Sequence, residues 1–293
     1  MARYIPDIAS KRWVILAWGR AFRPRDHGKT TPPTRRHASG HTVAEQCPLC
    51  YGQEHLTPPE IGRWSHAGSH LGWSVRVVPN LYPITDVHEV IIHSPDHEQD
   101  ILDFSAPHLN LLVRVYRDRF RVLSPQGQVI IFNNKGEAAG ESLAHPHSQL
   151  TVIPYQIKLD ILSLEPLNNV VAEVGDIICY CPDYSEWPYE LWLTSRANCE
   201  ADERSWKTFG ALDDGAIANV ATALRQSLQA LRTSLGLFPY NYYISPAQRW
   251  YLRITPRLAT RAGFELSTGL IVNTKDPVEA ATELVASWPK DTV

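Results

Sequence analysis

The sequence predicts an α+β protein in which one unit is built twice. Two observations carry this. Short β-rich runs alternate with two long amphipathic stretches, and the order strand, turn, strand, helix, strand, strand occurs twice, roughly a hundred residues apart. With 293 residues, 44% of them hydrophobic, the chain has material for one large domain or two of ordinary size.

In the first copy, residues 12–18 (RWVILAW) read as a strand, followed by Arg20, Arg23 and Arg25 around a turn at Pro24. Such a cluster is either solvated or a phosphate clamp, for which the guanidinium fork is suited. Residues 26–46 are polar and Pro-containing and read as a loop, a lid or a subunit contact. Trp73 to Pro79 alternates as a strand, Asn80-Leu81-Tyr82-Pro83 is a turn, and Glu89 to His93 is a short strand. Ile101 to Leu123 has helical periodicity, with Arg114, Arg117, Asp118 and Arg121 expected on its outer face. Val129 to Phe132 is a strand expected to stop at a turn formed by Asn133, Asn134, Lys135 and Gly136. The second copy has strands at 176–181 and 189–194, a helix at 213–235, and strands at 240–244 and 250–255.

The stretch His145-Pro146-His147-Ser148-Gln149 leads into the β-rich run Leu150 to Ile153. Pro146 cannot donate to a ladder, so it marks an edge or a strand start. On an extended chain His145 and His147 point to one face. An H-x-H pair is either two solvated imidazoles on a surface strand or a site. The Cys47-Pro-Leu-Cys50 knuckle is similarly open, because zinc ligands and redox pairs share that spacing.

Several classes are excluded by composition. Net charge is −3 with scattered basic residues, unlike a nucleic-acid binder. No run of about 18 apolar residues suggests a membrane span. The N-terminal MARYIPDIASKRW lacks the apolar region of a signal peptide, and five cysteines argue against a disulfide framework, so a cytoplasmic protein is expected. Cys179, Cys181 and Cys199 read as core residues or inert thiols.

Taken together, RWVILAWGRAFRP, CPLC, NLYP, HEVIIHSPDH, FNNKG, HPHSQ, PRL and GFELSTG resemble, in order, the galactose-1-phosphate uridylyltransferase family of the histidine-triad superfamily. The resemblance implies a duplicated histidine-triad-like fold, with an antiparallel sheet and flanking helices in each half. The halves are expected at 1–165, carrying the metal site and nucleophile, and 166–293, shaping the sugar and phosphate site. Cys47, Cys50, His97 and His145 are implied as ligands of a structural zinc, whose four protein ligands leave no open position for chemistry. His147 is implied as a nucleophile that takes a nucleoside monophosphate from a nucleotide sugar, giving a nucleotidyl-histidine and two displacements. Gln149 and Ser142 are implied as phosphoryl contacts, and Arg20, Arg23 and Lys135 as phosphate contacts beside Asn134 and Gly136. Asn80 falls in the base-pocket segment with Val78, Leu81 and Tyr82, and Glu265 in the hexose-contacting segment. A homodimer is implied.

There are departures from the family pattern. Tyr251-Leu252-Arg253 stands where some members carry further metal-binding histidines, so no iron site is expected. HPHSQ replaces HPHGQ, and NLYP replaces an acidic-containing segment, as in the ADP-sugar phosphorylase branch. The expected activity is transfer of a nucleoside monophosphate, UMP first, between a nucleotide sugar and a hexose 1-phosphate. The alternatives are adenylyl transfer to phosphate, phosphorolysis or hydrolysis of a dinucleoside polyphosphate, and a zinc-stabilised nucleotide-binding module.

Overall fold

Ser105 and Asp213 open the two long helices. Each side chain accepts a hydrogen bond from the backbone N–H three residues on, His108 N at 3.3 Å and Ala216 N at 2.8 Å, satisfying one orphan donor of the first turn. The computed structural model describes residues 2–290 except 8–11, 24–33, 37–41, 45, 46, 68, 70, 163, 165 and 166. It divides into two units, Met1–Asn133 with Glu141–Leu162, and Asn134–Gly140 with Ser163–Val293.

In the first unit, β1 (Arg3–Asp7) pairs with β2 (Arg12–Leu16), and β3 (Thr34–Arg36) with β4 (Thr42–Ala44), both antiparallel. Then come β5 (Gly62–Trp64), β6 (Val75–Pro79), β7 (Val87–Ile92), α1 (Ala106–Leu123), β8 (Gln128–Lys135) and β9 (His147–Ile153). Neighbours run β5-β6-β7-β9-β8, all antiparallel. Val75, Val77, Ile91, Ile131 and Leu150 from the strands, with Leu112 and Tyr116 of α1, are buried in its core.

In the second unit, β10 (Val170–Val174), β11 (Ile177–Tyr180), β12 (Leu191–Ser195), α2 (Asp214–Leu235), β13 (Tyr240–Ile244) and β14 (Leu252–Pro256) are followed by α3 (Gly263–Thr268) and α4 (Pro277–Ser287). The neighbours run β10-β11-β12-β14-β13, again antiparallel. Element for element this is the order of the first unit, so the duplication seen in the sequence is a duplication of topology.

Several sequence expectations need correction. Segment 26–46 contains β3 and β4 rather than being only a loop; Pro24, Arg25 and much of that segment lie outside the described residues. α1 starts at Ala106, because Ser105 caps it and Pro107 suits the first turn. Arg117 is buried and pairs with Asp118 at 2.9 Å, while Arg114 and Arg121 do lie outside. β8 continues through the Asn-Asn pair to Lys135, and the chain turns only at Gly136, whose φ of +87° is a glycine conformation.

Candidate active site and metal centre

β9 begins at His147 because Pro146 has no N–H to offer. Its carbonyl still accepts from His93 N at 3.1 Å, just beyond the end of β7. β9 lies between β7 and β8, so His147, Ser148 and Gln149 are all buried, which removes the reading of a solvated surface strand. The strand start is held on several sides. Asn133 Nδ2 donates to His147 O at 2.7 Å, and Ser148 Oγ lies 2.8 Å from His93 Nε2 and 2.6 Å from Tyr116 OH.

His147 Nδ1 lies 2.7 Å from the carbonyl oxygen of His145. A carbonyl only accepts, so Nδ1 carries the proton and the lone pair of the neutral ring is on Nε2. That is the tautomer a nitrogen nucleophile needs.

The ring of His145 turns instead to the cysteines. Its Nε2–H donates to Ser94 O at 2.8 Å, placing the lone pair on Nδ1, which lies 3.5 Å from Cys50 Sγ. His97 Nδ1 lies 3.3 Å from the same sulfur. Ligand atoms of Cys47, Cys50, His97 and His145 are all within 4.8 Å of one another, and all four residues are buried. A tetrahedral ion with bonds of about 2.0–2.3 Å holds its ligand atoms roughly 3.3–3.8 Å apart, so the cluster fits a metal. Chemistry and surroundings agree with this. Ala44 N donates to Cys50 Sγ at 3.4 Å, and the Ser94 carbonyl orients the His145 ring as an outer-shell partner does. The Cys50 thiol is pulled well below its usual range, first by the Cys47 S–H donating to it and then by the imidazoles of His145 and His97. β4 is tied to the same centre, since Thr42 N donates to Asp96 Oδ2 at 2.9 Å and His97 N donates to Thr42 O at 2.8 Å.

Arg20 follows β2 in a single 3₁₀ turn, Trp18–Phe22, and its Nη1 donates to Tyr82 O at 3.0 Å. Partial burial and then the neighbouring Arg23 charge lower its pKa to about 10, so the two guanidiniums lie close together and repel. An anion would relieve that repulsion. Asn80 makes a local turn, its Oδ1 accepting from Tyr82 N at 2.8 Å. Leu81 is 62% exposed at the tip of this turn.

One residue that sequence reasoning missed sits among these. His88, at the start of β7, lies with Nε2 3.0 Å from Gln149 Oε1 and 3.1 Å from Asn80 Nδ2. Burial, then the charges of Arg20 and Arg23, push its pKa down to about 4, so it is neutral near pH 7. Around His88 the first unit gathers Arg20, Arg23 and Asn80 beside Gln149, which stands on the strand that carries His147. Ser142 is buried in the loop before β9. Asn134, Lys135, Gly136 and Glu265 belong to the second unit. There Asn134 Oδ1 accepts from Asn241 Nδ2 at 2.8 Å, and a Cβ on Gly136 would meet Pro239 Cβ at 2.8 Å. Glu265 Oε2 accepts from Ala262 N at 3.0 Å, a cap on α3.

A family model described as galactose-1-phosphate uridyl transferase, N-terminal domain, matches residues 84–153, the span that holds His88, His97, His145, His147 and Gln149. Over that span the chain is similar to the galactose-1-phosphate uridylyltransferases. It is 26% identical to an ADP-glucose phosphorylase of Arabidopsis thaliana, over 94% of this chain and 90% of that protein. It is 23% identical to a galactose-1-phosphate uridylyltransferase of Thermotoga maritima, over 96% of each. A solved ADP-glucose phosphorylase from Arabidopsis thaliana with bound ADP-glucose superposes with a TM-score of 0.69 at 23% identity, over 97% of this chain and 99% of that one. At that identity the structural likeness speaks for the fold, which is the duplicated, antiparallel arrangement the sequence predicted.

Proposed function

We propose that the protein is a nucleotidyltransferase working through His147. The observation that carries the reading is the His147 tautomer. With Nδ1–H given to the His145 carbonyl, Nε2 attacks the α-phosphorus of a nucleotide sugar. The Nε2–P bond forms, the pyrophosphate P–O bond breaks, and its electron pair leaves on the oxygen of the sugar 1-phosphate. In the second displacement an oxygen of a sugar 1-phosphate or of orthophosphate attacks the same phosphorus. The P–N bond breaks and the pair returns to Nε2. The leaving group is already a phosphate, so no strong general acid is required. The protein's task is to orient the phosphoryl and neutralise its oxygens, the role given to Gln149, Ser142, Arg20, Arg23 and Lys135.

Cys47, Cys50, His97 and His145 hold zinc, which fastens the knuckle, the His97 loop and the start of β9 into one rigid piece. A resident zinc there supplies rigidity and no reactive position.

The uridylyl donor remains a candidate on the breadth of the family. A second reading, adenylyl transfer to phosphate, is favoured by the match to ADP-glucose phosphorylase over nearly the whole chain and by HPHSQ and NLYP. A homodimer fits either reading. In the second unit Leu258, Phe264, Leu266, Leu270 and Val272 are exposed around the segment that carries Glu265, and light scattering of the whole chain measures the assembly. The activity is tested by incubating the protein with UDP-glucose or ADP-glucose and taking the intact mass. A nucleotidyl adduct absent from His147→Ala is expected. No adduct with either donor, or an adduct that persists in His147→Ala, overturns the reading. Chasing the adduct with hexose 1-phosphate, orthophosphate or water then identifies the acceptor.

A further inference from the structure

The hydrogen bonds around His88 fix more than its own tautomer. Ile84 N lies 2.9 Å from His88 Nδ1, and a backbone N–H can only donate, so Nδ1 is bare. The buried neutral ring therefore carries its proton on Nε2. Two side-chain amides flank that nitrogen. Asn80 is already oriented, because its Oδ1 accepts from Tyr82 N, so the Nδ2 it turns toward His88 is a donor in contact and not a partner. The Nε2–H therefore goes to Gln149 Oε1 at 3.0 Å. Turning the Gln149 amide over would set N–H against N–H. The carbonyl end of the amide is thus pinned, and its NH₂ end makes no hydrogen bond among the described residues although the side chain is only 5% exposed. Gln149 and His147 are alternate residues of β9 and share a face.

The second unit has a comparable buried contact across its own sheet. Trp192 pairs with Arg253 between β12 and β14, and Arg253 Nε and Nη2 donate to Glu190, the residue just before β12, at 2.7 and 2.8 Å.

We propose that His88 is a positioning residue for nucleotidyl transfer: its Nε2–H holds the Gln149 carbonyl so that the amide N–H groups are presented to the oxygens of the phosphoryl being transferred. The inference rests on the reading of His147 as nucleophile. A buried donor aimed in advance needs no reorganisation as charge develops on those oxygens. Without His88 the amide rotates and offers its carbonyl to an anion as readily as its N–H.

The test is a double-mutant cycle in single-turnover adduct formation, using whichever of UDP-glucose and ADP-glucose labels the wild type. His88→Phe keeps a ring and deletes the donor. It should slow adduct formation about 10–100-fold with donor affinity changed by less than about threefold, the scale of losing an outer-shell partner. Gln149→Ala should cost about a hundredfold or more. Adding His88→Phe to Gln149→Ala should cost nothing further, within about twofold. A role in packing alone would slow both backgrounds equally. Equal slowing, or no slowing in the single variant, overturns the proposal while leaving the nucleophile in place. A wild type that forms no adduct overturns the functional reading instead. Should His88→Phe not fold, ¹⁵N NMR of the wild-type imidazoles decides. His88 protonated on Nε2 at neutral pH supports the assignment, and protonation on Nδ1 sinks it.

Discussion

Glu190→Gln removes one charge from the interior of the second unit and almost no volume. In the folded chain the Glu190 side chain is fully buried and Arg253 keeps 8% exposure. The carboxylate accepts two hydrogen bonds from Arg253, one from Trp192 Nε1 at 2.6 Å, and two from the backbone N–H groups of Glu186 and Trp187 at 2.9 and 3.2 Å. The amide keeps one acceptor oxygen, but its NH₂ faces donors, and the guanidinium is left with Glu186 at 3.1 Å as its only described acidic partner. Breaking a buried pair by removing one member costs about 3–5 kcal/mol, because the other charge stays desolvated. Glu186 is 25% exposed and retains part of the compensation, so the lower end, about 3 kcal/mol, is expected. For a chain of this size that corresponds to a fall in Tm of roughly 6–12 °C. Differential scanning calorimetry of the two purified proteins at neutral pH measures it. A fall under about 2 °C would show that the pair is open to water and carries little of the unit's stability.

Three further outcomes are expected. Cys50→Ser should lose its metal by elemental analysis, against about one zinc per wild-type chain, and lose thermal stability with it, because ligation is linked to folding; full zinc retention would show the ligand set is wrong. Stability should fall in acid between about pH 6.5 and 4. His88 and His108 have folded pKa values lowered to about 4, chiefly by burial. Above pH 6.5 both states are neutral and nothing is lost. Below it the unfolded chain takes up protons that the folded chain refuses, at up to about 3 kcal/mol per histidine. Denaturant titrations at pH 7 and pH 4.5 read this, and equal stability at both would contradict it. Finally, UDP-glucose and ADP-glucose competing in one tube should label His147 with less than about a hundredfold preference, since an apolar Leu81 at an exposed turn discriminates by only ~1–3 kcal/mol. Adduct masses report the ratio.

What could be read from the sequence follows the range of the forces involved. The strands at 240–244 and the helix at 213–235 stand out because their periodicity is local. The Cys-x-x-Cys knuckle and the His-Pro-His pair were legible because ligand chemistry restricts residue type and spacing. β1, β10, α3 and α4 were not anticipated, being short or weakly patterned. Charge alone puts Arg117 on the outer face of α1, whereas its partner Asp118 lets the guanidinium be buried. His88 was invisible for a different reason. It stands one residue before the apolar run EVIIH, and its importance depends on the register of β7 against β9, two strands separated by a helix and a third strand. Nothing within a few residues of His88 encodes that pairing.

The two units treat a buried polar side chain on the corresponding strand differently. Gln149 of β9 has amide N–H groups that make no hydrogen bond among the described residues, although the side chain is only 5% exposed. In the second unit Arg253 of β14 is consumed by Glu190, and Tyr251 beside it stacks on Trp192 at 4.1 Å between ring centroids. A buried donor without an acceptor costs stability, so Gln149 is held in place at a cost that Arg253 avoids.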